Sequence, residues 1–159
     1  MVWAKKTFPI LSAILIAYSP LEIFSQTTQN NSGRSEFELF IESSTGKHKI
    51  KIEMAKTAKQ HRLGLMYRKK LGQDRGMLFE YSRLTRIQMW MKNTFIPLDM
   101  IFINNQGIVE SFHERAVPRS LQIISSKGPV RAVLEVNAGT ISRLKIRVGD
   151  RVYHKIFSN

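Results

Sequence analysis

Apolar and polar residues alternate with period two over much of this chain. Phe37, Leu39 and Ile41 interleave with Glu36, Glu38, Phe40 and Glu42, while Ile50, Ile52 and Met54 interleave with Lys49, Lys51 and Glu53. Successive side chains of a strand point to opposite faces, so this pattern predicts two strands with one wet face each. Ser43-Ser44-Thr45-Gly46 supplies the hairpin turn between them. Thr57, with Gln60 three residues on, predicts a capping box that opens a helix. Ala58, Leu65 and Met66 are its inward positions, and it is expected to end near Arg68 to Lys70. Gly64 inside this helix costs about 1 kcal/mol against Ala and suggests that another backbone passes close by.

Further strands are predicted at Gly76–Tyr81, Ile87–Lys92, Ile101–Ile103, Ile108–Phe112, Val130–Val136 and Val152–Phe157. Asn104-Asn105-Gln106-Gly107 is a strong hairpin signal. Gly139 to Lys145 reads as one or two helical turns, and Ala116 to Pro129 is the longest loop, of a length that suits function or mobility. Many short strands, few helices and regular turns predict a mostly β (α+β) fold: a small β-barrel or strongly curved antiparallel sheet with one or two short helices.

The N-terminal segment has a different pattern. Lys5 and Lys6 precede an apolar run from Phe8 to Tyr18, then Ser19-Pro20 and a small residue, Ser25. This is the three-part layout of a cleaved signal peptide. The run is too short for a spanning helix, which needs about 20 apolar residues. The expected organisation is a signal peptide over 1–25, a disordered polar spacer over 26–35 and a single domain over 36–159. The mature protein is then periplasmic or secreted, with membrane contact only through its N-terminal signal.

Composition narrows the chemistry. The 159 residues include 25 Lys and Arg against 12 Asp and Glu, a net charge of +13, and no Cys. Disulfides, thiolate metal sites, Cys nucleophiles and lipid attachment at Cys are excluded. His48, His61, His113 and His154 show no ligand spacing, so no metal is expected. The chain has no P-loop, no G-x-G-x-x-G and no G-x-S-x-G, and no cofactor is expected. The basic residues are scattered. They suit an anionic envelope polymer better than nucleic acid, which is not expected as a partner.

One segment stands apart. In Ile87-Gln88-Met89-Trp90-Met91-Lys92, alternation puts Ile87, Met89 and Met91 on the core face and Gln88, Trp90 and Lys92 on the other. An indole beside an amide and an ammonium can stack on a flat ring while the polar groups orient it. The same Trp could instead cover one end of the barrel. Asn93 and Thr94 leave this strand, either to cap their own loop or to touch a ligand. Asp99 begins an apolar strand and needs a partner if buried: Lys92, Arg68 or backbone N–H groups. Glu135, between Leu134 and Val136, is a second acid in apolar company. Two such acids could act as general acid and base, or be structural ion pairs.

The segments Gly64-Leu65-Met66-Tyr67-Arg68, Gly76-Met77-Leu78-Phe79, Met89-Trp90-Met91-Lys92-Asn93-Thr94, Ile96-Pro97-Leu98-Asp99-Met100 and Val133-Leu134-Glu135, with Ala138-Gly139 and Gly149-Asp150, resemble the DUF192 family from about Phe37 to Phe157. The resemblance implies a small, mostly β domain with a short helix and assigns no reaction. It maps signature positions onto Arg68, Gly76, Trp90, Lys92, Asn93, Thr94, Pro97, Asp99 and Glu135. The expected function is an exported envelope module that binds a small ligand, with a carbohydrate or glycan as candidate, through Arg68, Trp90, Lys92, Asn93, Thr94, Asp99 and Glu135. The alternatives are a hydrolase using an Asp99/Glu135 pair and a purely structural or protein-interaction domain. The sequence leaves catalysis and any partner protein open.

Overall fold

The computed structural model describes Met1 and residues 36–157; the expected signal peptide and spacer lie outside the described residues. The fold is mostly β, a seven-stranded sheet curled into a half-barrel. In chain order its elements are β1 (Glu36–Ser43), β2 (Gly46–Ala55), α1 (Ala58–Leu63), β3 (Arg75–Thr85), β4 (Gln88–Met89), β5 (Leu98–Ile103), β6 (Val109–Ala116), β7 (Ile124–Ser125), β8 (Val130–Asn137), α2 (Thr140–Leu144) and β9 (Arg151–Tyr153). A 3₁₀ turn, Lys155–Phe157, follows. The sheet order is β6-β5-β8-β3-β2-β1-β9, and β4 and β7 form a separate two-stranded ribbon.

Every pairing in the large sheet is antiparallel except β2 with β3. That parallel pair needs a crossover, and α1 with the following loop supplies it. The two sheet edges meet at one end. Val109 N–H donates to Asp150 O, Gly149 N–H to Val109 O and Val152 N–H to Gly107 O. Gly107 permits this approach: its φ is +77°, and a Cβ there would lie 2.5 Å from Val152 O.

The sheet is packed on both faces. Leu39, Ile41, Ile52, Leu78, Ile101 and Leu134 form one cluster with Ile141 and Leu144 of α2. Met77, Phe79, Met100, Phe102 and Val133 form the other with Leu65, Ile87, Met91 and Ile124. Consequently all six residues of β5 are buried. Each fully buried side chain of this size contributes about 1.5–3 kcal/mol, so both layers hold the central strands rigid.

Local departures from the expected elements have physical causes. The capping box at Thr57 and Gln60 forms, but α1 ends at Leu63 because Gly64 leaves helical geometry at φ +44° and ψ −131°. Leu65 is therefore buried from a turn, not from a helix, and Ala58 is exposed. What passes close to Gly64 is the Phe79 ring, 3.1 Å from a Cβ placed there, and not a backbone. Of Ile87–Lys92, only Gln88 and Met89 pair as a strand, with Ser125 and Ile124 of the expected loop. Beyond them Met91 N–H bonds to Ser120 O. The last strand is short, since the chain turns into the 3₁₀ helix after Tyr153.

Candidate functional site

Register decides which way each candidate side chain faces. On β8, Glu135 pairs with Met77 of β3 on one side and Met100 of β5 on the other. It therefore shares the sheet face of the Met77–Phe79–Met100 cluster and sits on an apolar floor. Glu135 is 4% exposed. Its side chain makes no hydrogen bond or ion pair among the described residues. Burial pushes its carboxyl up to about 8, from an ordinary 4.5, because a charge without a partner is costly in apolar surroundings.

In front of this carboxyl lies a cavity of about 250 Å³. Its walls come from two segments held against the sheet. On one side are His61 and Arg62 of α1 with Gly64, Leu65 and Met66; on the other are Gln88, Met89, Trp90 and Thr94. Phe79 and Tyr81 continue the sheet surface beside Glu135. Gly64 keeps the space open, since a Cβ there would stand 4.0 Å from Glu135 Oε2. A neighbouring hollow of about 320 Å³ shares Tyr81 and Gln88 and runs along Arg86, Ile87, Ser125 and Ser126.

The rings in the cavity are fixed. His61 Nε2 donates to Ala55 O over 2.9 Å, and the His61 ring packs on Tyr81 with centroids 4.6 Å apart. A carbonyl only accepts, so the Nε2 proton is assigned and Nδ1 is left as the ring's acceptor when neutral. The Tyr81 hydroxyl donates to Met89 Sδ at 3.8 Å. Burial, and then the nearby Glu135, push that hydroxyl up to about 12, so Tyr81 stays neutral. Trp90 is 47% exposed. Lys92 Nζ lies 5.4 Å from the Trp90 ring centroid, within cation–π range.

The segment carrying Trp90 is tied down on both flanks. Ile87 exchanges hydrogen bonds with Ser126, its N–H to Ser126 Oγ and its carbonyl from Ser126 N–H, both at 3.0 Å. Ile87 and Met91 are buried anchors. Asn93 turns the chain at φ +55°; its carbonyl accepts from Tyr67 N–H, and its Nδ2 donates to the Tyr67 hydroxyl at 3.0 Å. Thr94 is buried, with its N–H on Met91 O.

Of the seven residues singled out by the sequence, Trp90, Thr94 and Glu135 line the cavity. Lys92 lies beside it over Trp90, and Asn93 serves the turn. Arg68 is taken up elsewhere: its guanidinium grips both oxygens of Glu53 at 2.5 and 2.6 Å. Asp99 faces away. It pairs with Val136, one residue out of step with Glu135, and so points to the opposite side of the sheet. There it is fully buried, and Oδ1 accepts Arg115 N–H while Oδ2 accepts Ile141 N–H, each at 2.9 Å. Asp99 thus satisfies the bulge of β6 and the start of α2. The expected Asp99/Glu135 acid–base pair does not exist, because adjacent residues of paired strands face opposite sides.

The cavity walls His61, Phe79, Tyr81, Met66 and Met89 are not among the sequence candidates. Period two along β3 does put Met77, Phe79 and Tyr81 on one face. That this face meets Glu135 depends on β8 lying beside β3, which no local signal carries. Among the described residues no three His, Cys, Asp or Glu side chains come together to hold a metal ion.

A family model, DUF192, described as an uncharacterized ACR, matches residues 40–154. The chain belongs to the DUF192 family. Two solved structures resemble this member of DUF192 closely. One, from Sinorhizobium meliloti 1021, is described as a candidate transcription regulator; it is 42% identical, with a TM-score of 0.73, covering 76% of this chain and 94% of its own. The other, from Novosphingobium aromaticivorans DSM 12444, is a protein of unknown function; it is 33% identical, with a TM-score of 0.76, covering 87% of this chain and 99% of its own. No curated protein matches this chain.

Proposed function

We propose that this DUF192 member is an exported module of the cell envelope that binds a small ring-shaped ligand, such as a single sugar unit, in the cavity between Trp90 and Glu135. The observation that carries the reading is a half-exposed indole on a segment tied down on both flanks, beside a hollow whose floor holds a buried carboxyl with no partner among the described residues. Buried polar groups are nearly always hydrogen-bonded within the protein or to water, so an unpartnered Glu beside a hollow points to an occupant of that hollow. At about 250 Å³ the cavity falls just below the usual range for drug-sized ligands, so one ring is the natural occupant. Export is supported by the signal-like pattern of residues 1–25.

The two-acid hydrolase reading has no support from the geometry, since Asp99 and Glu135 face opposite sides of the sheet. Nucleic-acid binding, which is not expected for this chain, would show as affinity that falls steeply with salt.

Thermal-shift screening against envelope sugars tests the proposal, since a ligand that prefers the folded state raises the melting temperature. Trp90→Phe should abolish that shift while changing stability by only about 0.5 kcal/mol, as for other exposed positions. A lowered melting temperature in Trp90→Phe, with no ligand effect in either protein, would contradict it.

A further inference from the structure

We propose that the ligand of this cavity carries a primary ammonium group, so that its class is the amino sugars with a free amine, the ring lying on Trp90 and the ammonium meeting the Glu135 carboxylate. This rests on the proposed binding function and narrows it to one chemical class.

The charge pattern of the cavity argues for a cation. An ionised carboxyl only accepts hydrogen bonds, and Glu135 has no donor from the protein among the described residues. The rings of Phe79, Tyr81, His61 and Trp90 line the cavity with it, together with Arg62, Gln88 and Thr94. Despite the chain's +13 charge, a phosphate or carboxylate group set against an ionised Glu135 would meet a like charge at the cavity floor. The titratable or charged groups lining the cavity with Glu135 are His61 and Arg62 from α1 and Tyr81 from β3. From β5 it meets Met100 and on β3 also Met77, neither charged. Arg131 of β8 is held by Glu80 at 2.9 Å. Arg62 lines the same cavity, but among the described residues neither it nor any other cation makes an ion pair with Glu135, so the carboxylate is left for a ligand ammonium.

The proton balance follows. In the empty cavity Glu135 holds its proton; when the ammonium binds, Glu135 releases that proton to the buffer and the ligand keeps its own. The ion pair replaces a neutral acid, with no covalent change.

Calorimetric titration of the full-length chain at neutral pH with glucosamine, glucose and N-acetylglucosamine tests this. Glucosamine should bind at least about tenfold more tightly than the other two, the size expected of one charge-assisted hydrogen bond. Titrations in two buffers of different ionisation heat should show release of about one proton, as linkage requires when an ammonium displaces it. Glu135→Gln should remove both the preference and the proton release. If glucose binds as well as glucosamine and no proton is released, the ammonium inference falls and the cavity reading stands. If none of the three sugars binds, the sugar-binding reading falls with it.

Discussion

Replacing Glu135 with Gln should stabilise this protein, and by an amount that grows with pH. The unfolded carboxyl ionises near 4.5, whereas the folded one holds its proton until about 8. Between those values the folded state carries a proton that the unfolded state has lost, so stability falls as pH rises. Below about pH 4.5 the folded state pays no charge-burial cost, and above about 8 the loss is complete. At about 1.4 kcal/mol per pH unit, the full difference is on the order of 4 kcal/mol once water entering the open cavity is allowed for. Gln keeps the shape and never ionises, so it escapes this loss. Urea unfolding of both proteins at constant ionic strength measures it. The two should match near pH 4, and the Gln variant should lead by about 2–4 kcal/mol near pH 9. A gap that is the same at both pH values would refute the reasoning, because Glu135 would then ionise alike in both states.

Other substitutions separate structure from binding. Asp99→Ala leaves the buried N–H groups of Arg115 and Ile141 without an acceptor; it should cost about 2–5 kcal/mol in urea unfolding, with no direct effect on the cavity. Gly64→Ala puts an L residue at φ +44° and a Cβ 3.1 Å from the Phe79 ring. It should cost about 1–3 kcal/mol and weaken any ligand by narrowing the space before Glu135. Arg68→Ala breaks a two-pronged, partly buried pair with Glu53; it should lower stability by about 1–3 kcal/mol, and thermal shifts by ligand should survive it.

How much of this was legible in the sequence depended on range. Local patterns told true: the alternation around Leu39 and Ile50, the Thr57–Gln60 capping box, the Asn104–Gly107 hairpin, and the division of Met89 and Met91 from Trp90 all appear in the structure. Each is fixed by neighbours a few residues away. The cavity was not legible, because it is assembled from α1, β3, β8 and the β4 segment, and only the sheet order brings these together. The Asp99/Glu135 pairing failed for the same reason. Both acids lie on adjacent strands, and a register offset of one residue sends them to opposite faces. Gly64 was visible as an oddity in a helical pattern, yet the ring and carboxyl beside it come from distant strands.

The most direct measurement is a carbon-13 NMR titration of the Glu135 side-chain carboxyl, with and without glucosamine. In the free protein the midpoint should lie near pH 8, and saturating glucosamine should move it well below neutrality. A midpoint near 4.5, unchanged by the amino sugar, would mean that this carboxyl is neither withheld from water nor waiting for a cation.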